Sequence, residues 1–364
     1  MKKILLVLLT LGMLCGCQGK KEDNVIRIGV INPETGELAT YGEKVRRGMT
    51  IAIEELNAQS NVVELYIEDT YADSKAAINA VQKLVNIDKV KYIIGEVSSN
   101  ATLAVLPFIE SKGVFLFSPG AATPKLSNSS SLFARNWPSN SAEAESAAIY
   151  AIEELLYDSA IIVYVNNDWG LGLQTTFDEV FKIKGGTIVA SFIYPYENTE
   201  FRSIISKIKQ YEANIIYLAG NQREMGLFMK QLRESHISLP VIANTSFLES
   251  DCLNLAGVAA DGVVVPTPSY DPTDIEPSIL SFSERYREKY GENPSLVDAN
   301  GYDAVKLIVN AIQIVGDNPK AVADYIRNLN EYEGASGKVK FVDGDVHINT
   351  SFKMLNNGIP VDIR

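Results

Sequence analysis

Histidine and cysteine are scarce in this chain: two of its 364 residues are histidine and three are cysteine. His236 and His347 lie far apart, with no second histidine or cysteine spaced to share a metal, so no metal site is expected. No Gly-x-Ser-x-Gly elbow occurs, which leaves an α/β hydrolase unsupported. Gly337-Lys338 fails as a phosphate loop, because Tyr332 stands where the first glycine belongs and Val339 follows the lysine. Ile31 to Gly36, after the first expected strand, offers a single glycine, so a dinucleotide site is not expected. With no nucleophile, base and metal at recognisable spacing, the chain is expected not to be an enzyme, an envelope hydrolase included, and to need no cofactor. Lysine and arginine number 33 against 45 acids, a formal charge of -12, and no dense cationic stripe is present to displace counterions from phosphates. Nucleic acid is therefore not an expected partner.

One long apolar run is present, and it stands at the start. Lys2 and Lys3 precede Ile4 to Leu14, a charged segment and then an apolar one as in a secretory signal. The run is shorter than the roughly 20 residues that span a bilayer. Leu14-Cys15-Gly16-Cys17 resembles the bacterial lipobox, in which a small residue precedes a cysteine that is acylated before cleavage. That resemblance implies lipid attachment at Cys17, a signal over residues 1–16 and a polar tether over 17–24. Cleavage removes two lysines and no acid, so the charge moves from -12 to -14. Cys17 and Cys252 remain, no internal disulfide is expected, and stability rests on the core. The 348 residues left exceed what one hydrophobic core usually supports, so two domains are expected.

From Val25 onward short β-branched runs alternate with segments of helical period, which argues for parallel sheets covered by helices. Strands are expected at 26–31, 62–68, 90–94 and 114–117. Helices are expected through Val45, Gly48, Met49, Ala52 and Leu56, over 74–87, and from Ser99. A second series opens at Asn140, whose spacing to Glu143 is that of a capping box ahead of Ala144, Ala147, Ala148 and Ala151. Its strands are expected at 160–165, 187–192, 214–218, 241–243 and 262–265. Pro266 to Pro277 reads as a crossing loop; 279–290, 297–315 and 321–329 read as helices. Lys338 to Phe341 with His347 to Met354, around Asp343-Gly344, reads as a hairpin. Two doubly wound lobes of the same kind are implied.

In open α/β sheets ligands bind beyond the carboxyl ends of the strands, where helix starts present unpaired amides. Three such junctions in the first lobe are polar or glycine-rich: 32–41, 95–100 and 118–123. Ser98-Ser99-Asn100 is suited to hold a carboxylate with hydroxyls and amides, and the same residues suit plain N-capping.

At these junctions the chain resembles the type I periplasmic solute-binding proteins of the leucine/isoleucine/valine-binding family, which serve ABC importers. The matching segments are Thr35-Gly36 through Tyr41-Gly42, Gly48 to Asn57, Ile93-Ile94-Gly95 to Ser99, Phe117-Ser118-Pro119-Gly120-Ala121 to Leu126, Tyr302-Asp303-Ala304, and Gly334 to Gly344. The resemblance implies two Rossmann-like lobes joined by three crossings: residues 25–138 with 268–346, and 139–267 with 347–364. It implies that Ser99 and the backbone of Gly120, Ala121 and Ala122 hold a ligand carboxylate, that Tyr41 flanks the ligand, and that Trp169 covers it from the second lobe. Departures bear on the ligand. Ala122 stands where a hydroxyl is usual and Thr123 follows one step late. Asn221 stands where an aromatic is common, and Thr245 where an acid often meets the ligand ammonium. A standard branched-chain amino acid is thereby less favoured than another amino acid, a short amide or a small carboxylate. The expected partners are a small solute, ABC permease subunits and, through Cys17, the bilayer. A sensory module working through a separate membrane protein is the competing expectation.

Overall fold

The computed structural model describes residues 25–59 and 62–363; the apolar leader, Cys17 and the tether lie outside the described residues. The chain first lays down Val25–Asn32 (β1), Ala39–Ala58 (α1), Val62–Asp69 (β2), Ser74–Asn86 (α2), Tyr92–Gly95 (β3), Ser99–Lys112 (α3), Phe115–Ser118 (β4) and Phe133–Arg135 (β5). These five strands are parallel neighbours in the order β2-β1-β3-β4-β5. Helices cover both faces, so strand interiors read as continuous apolar runs and not as alternations. Ile28, Val30, Ile93, Ile94, Phe115 and Phe117 are wholly buried.

A second series follows: Asn140–Ile149 (α4), Ser159–Val165 (β6), Asp168–Ile183 (α5), Thr187–Tyr194 (β7), Arg202–Ile208 (α6), Ile215–Ala219 (β8), Gln222–Glu234 (α7), Val241–Ala243 (β9), Ser250–Ala256 (α8) and Val264–Pro268 (β10). Its parallel order, β7-β6-β8-β9-β10, repeats that of the first sheet, and the two sheets have separate apolar cores. Pro277–Tyr290 (α9), Leu296–Val315 (α10), Pro319–Arg327 (α11), Tyr332–Gly334 (β11), Gly337–Val342 (β12) and Asp345–His347 (β13) then return to the first sheet, where β13 pairs with β5. Thr350–Asn356 (β14) and Ile359–Asp362 (β15) finish the second. The chain passes between the sheets three times, after β5, β10 and β13. Both sheets reverse their strand order beside the first strand of the series, between β1 and β3 and between β6 and β8, which is where a doubly wound sheet opens a crevice.

One strand, β5, has no counterpart among the expected ones, because it is three residues long and ends in an arginine that the fold buries completely. Three local expectations are corrected. Pro266 and Pro268 lie inside β10 instead of opening a loop. Pairing with β9 stops at Val264, so both prolines lie where one side of the strand carries no ladder. The hairpin around Asp343-Gly344 ends at His347, and β14 belongs to the other sheet, a choice that residue alternation cannot express. The Asn140–Glu143 capping box does not form. Ser139 caps α4, the Asn140 amide donates to the Ala122 carbonyl at 2.8 Å, and Glu143 turns elsewhere. Among the described residues no helix is long and apolar enough to cross a membrane.

Candidate functional site

The carboxyl ends of both sheets face one cavity of about 420 Å³. On the first-sheet side, β3 is followed by Glu96, whose buried carboxylate accepts from Thr70 Oγ1 at 2.6 Å and from the amides of Val97 and Ser98 at 2.7 and 3.1 Å. Burial pushes this carboxyl up to about 7. Its bonds shape the turn into α3, where Ser98, Ser99 and Asn100 divide the work. Ser98 caps the helix through the Ala101 amide. Ser99 Oγ accepts from the amides of Ala122 and Thr123 at 3.2 and 3.1 Å. Asn100 Oδ1 reaches across to the Asp168 amide at 3.2 Å. Since two amides already donate to Ser99 Oγ, its own proton is left to donate, and Ser99 lines the cavity.

The loop after β4 is held from behind. Ser118 Oγ accepts from the Ala121 amide at 2.9 Å, and the wholly buried Arg135 donates to the carbonyls of Ala121 and Thr123 at 3.1 and 2.9 Å. Gly120 and Ala122 face the cavity. Ala121 does not: it is wholly buried, and both its amide and its carbonyl are taken by the scaffold. The hydroxyl of Thr123 is spent on the Asp168 carbonyl at 3.2 Å and so does not replace the one absent from Ala122.

From the second sheet, Trp169 at the start of α5, Asn221 before α7 and Thr245 after β9 all line the cavity, as Tyr41 of α1 does opposite them. Asn167 Oδ1 caps α5 on the Gly170 amide at 2.7 Å, and Asn140 Nδ2 holds the Trp169 carbonyl at 3.0 Å, which sets the indole position. Asn244, wholly buried in the lining, accepts from the Gly220 amide at 2.8 Å and leaves Nδ2 without a partner among the described residues.

Sequence reasoning missed Glu143. Its Oε1 accepts from the Thr245 amide and lies 2.7 Å from Thr245 Oγ1. Burial pushes its carboxyl up to about 7, and the bonds from Thr245 oppose that rise. The residue had a local explanation as a helix-cap partner, which hid it. Trp137, Tyr71 and Tyr196 also line the cavity, and no motif marks them.

The lobes touch directly around this space. Tyr41 hydroxyl donates to Ser246 Oγ at 3.2 Å, Lys44 meets Glu249 at 2.6 Å, Gln222 Nε2 reaches the Glu37 carbonyl at 3.2 Å, and Lys125 pairs with Asp168. Two doubly wound sheets with ends converging on a polar, aromatic-walled crevice, bridged on several sides, form a container for a small molecule.

A sequence profile described as periplasmic binding protein matches residues 25–356. The chain belongs to the periplasmic binding protein family. As such it is a binder of solutes and not an enzyme. It is 25% identical over 324 residues to the leucine-, isoleucine-, valine-, threonine- and alanine-binding protein of Pseudomonas aeruginosa, covering 87% of this chain and 86% of the relative. The fold superimposes on a leucine-binding protein of Thermotoga maritima with a TM-score of 0.88 at 26% identity, covering 93% and 98% of the two chains. It also superimposes on a branched-chain amino acid transporter substrate-binding protein of Streptococcus pneumoniae, solved with isoleucine, with a TM-score of 0.84 at 25% identity, covering 93% and 100%. The two-lobed type I architecture is thus that of this periplasmic binding protein and of its neighbours.

Proposed function

We propose that this periplasmic binding protein is the lipid-anchored extracytoplasmic receptor of an ABC import system, closing its lobes on an amino acid or a related amide or carboxylate. The observation that carries the reading is the cavity itself, walled by strand ends of both sheets and bridged by Tyr41–Ser246, Lys44–Glu249 and Asn100–Asp168 contacts. A ligand touching both walls favours the closed arrangement by its differential affinity for it. Ser99, Gly120 and Ala122 would take a carboxylate at the start of α3; Tyr41 and Trp169 would enclose the remainder, with Asn221 and Thr245 as polar contacts. The relatives named for amino-acid binding support the solute class, and the lipobox-like Leu14–Cys17 segment supports the anchor.

Thermal unfolding of the purified protein against a panel of amino acids, short amides and small carboxylates tests the solute reading. At a hundredfold excess over its dissociation constant, a true ligand adds about 2.7 kcal/mol to stability. A panel in which no compound stabilises the protein would reject the reading. Cys17→Ser tests the anchor separately: the wild-type chain should partition with membranes and the variant should leave them, and an unchanged distribution overturns that assignment.

A further inference from the structure

Where the lobes meet behind Tyr196 and Gln222 of the cavity wall, hydrogen-bond acceptors outnumber donors. Gln222, at the start of α7, is 4% exposed, and its Nε2 donates across the interface to the Glu37 carbonyl at 3.2 Å. That bond leaves Gln222 Oε1 without a partner among the described residues. Glu37, in the loop between β1 and α1, has a buried Oε2 that is equally without one. So is Oε2 of the wholly buried Glu224 of α7, whose Oε1 accepts from the Glu197 amide at 3.0 Å. All three atoms can only accept, and two of them belong to carboxylates. A buried carboxylate without a cation is costly, and a second one facing it adds to the cost.

The two carboxylates come from different lobes. Glu37 follows β1 of the first, whereas Glu197 and Glu224 follow β7 and β8 of the second. Separation of the lobes returns Glu37 to water and takes it away from Glu224; closure brings the pair together with no counterion between them. The groups facing Glu37 from the second lobe are Tyr196, Glu197, Arg223 and Glu224. Burial raises the Glu37 carboxyl above its usual range, the Tyr196 hydroxyl and Arg223 oppose the rise, and Glu224 and Glu197 add to it. On its own lobe Glu34 is paired with Arg46, Asp69 accepts from Thr35, and Asp73 caps α2. Tyr196, and Tyr194 facing Glu224 from β7, are kept protonated by burial.

Resting on the reading of the two lobes as closing on one another, we infer that Glu37 and Glu224 form a proton-operated latch: closure takes up one proton at this pair, so acid favours the closed form and alkali the open one. The proton turns one partnerless acceptor into a donor, available to the other carboxylate or to Gln222 Oε1, and it removes one of two like charges. In the open form Glu37 is solvated and titrates in the ordinary carboxylate range; in the closed form it keeps its proton to higher pH. The gain in closure is therefore complete below the ordinary range and is lost as pH rises through the closed-form value. A solute touching both walls is held more tightly in acid for the same reason. Glu96 and Glu143 also titrate at about 7, but each is bonded within its own lobe, so lobe separation leaves their partners in place.

Small-angle X-ray scattering of the purified protein without solute, followed from about pH 8 to about pH 5, tests the latch. The expected result is a closed-to-open ratio that rises as pH falls, by up to about tenfold per pH unit, the limit for one bound proton. Glu37→Gln is neutral and supplies a donor, so it should stay closed across the range and lose the slope. Glu224→Gln removes the facing charge and should move the response to lower pH. A wild-type ratio that does not change with pH, or that falls in acid, overturns the inference whether or not the variants fold, as does a slope that persists undiminished in Glu37→Gln. The solute reading is judged separately by the thermal panel. Stabilisation by a panel compound with flat scattering overturns the latch alone, and acid-driven closure with no stabilising compound supports the latch and overturns the solute reading.

Discussion

Arg135→Met should cost about 3–5 kcal/mol of stability, read from urea unfolding midpoints, and should weaken solute binding at least tenfold in the fraction that folds. The arginine is wholly buried, and four groups depend on it. Nε meets Asp345 at 2.8 Å, Nη1 donates to the carbonyls of Ala121 and Thr123, and Nη2 donates to Ser127 Oγ at 2.9 Å. Methionine preserves most of the stem but leaves two buried carbonyls without donors and Asp345 without its cation. An orphaned buried acceptor costs about 1–3 kcal/mol, and loss of one partner of a buried ion pair costs more than the pair contributes. The functional effect follows from the same bonds. Arg135 holds the carbonyls on either side of Ala122, so the amides of Ala122 and Thr123 stay directed at Ser99 Oγ, and that hydroxyl stays oriented toward the cavity. A variant within 1 kcal/mol of wild type, or one with undiminished ligand response, would show that the loop after β4 holds its shape without the arginine.

Gly48→Ala should destabilise the protein by about 3 kcal/mol, against the roughly 1 kcal/mol that helix propensity alone would contribute in its favour. Gly48 of α1 lies against α10 so closely that a Cβ would sit 1.8 Å from the Asp298 carbonyl oxygen and 2.8 Å from the Tyr302 amide nitrogen. Gly301 makes the reciprocal approach, with Val45 O at 2.2 Å from the place of its Cβ. The opposing atoms are backbone, so no rotamer change admits the methyl group, and the helices must separate. Their separation would move Tyr41 and Val297, which line the cavity from these two helices, so the ligand response should weaken as well. Thermal unfolding with and without a bound amino acid measures both effects. A variant as stable as wild type would mean that α1 and α10 slide apart without penalty.

Much of the fold is legible in the residues because its signals are local. Ile28, Val30 and Ile31 share a short β-branched run. Val45, Met49, Ala52 and Leu56 recur at helical spacing, and both patterns are imposed by burial against near neighbours. Tyr41, Ser99, Gly120, Ala122, Trp169, Asn221 and Thr245 stand at strand ends, the one place where a doubly wound sheet exposes polar groups to a common crevice. Ala121, between two of them, shows the grain of such reasoning. Its neighbours face the cavity, and its own groups are consumed by Ser118 and Arg135, a distinction that depends on peptide orientation and not on residue type.

Glu143 marks the boundary most clearly. Three residues after Asn140 it satisfies a local pattern, and nothing within its helix distinguishes a cap partner from a carboxylate that lines the cavity. Its assignment depends on Thr245, 102 positions away in sequence, and on the Ala122 carbonyl, which claims the Asn140 amide and leaves Ser139 to cap the helix. The order of strands and helices, the two lobes and the polar character of their facing ends were thus present in residue spacing, which reports each segment's own burial. Which carboxylate enters the cavity, which sheet receives β14 and which hydroxyl is free to donate were decided only when distant segments met, because a hydrogen bond has two ends and the sequence pattern describes one at a time.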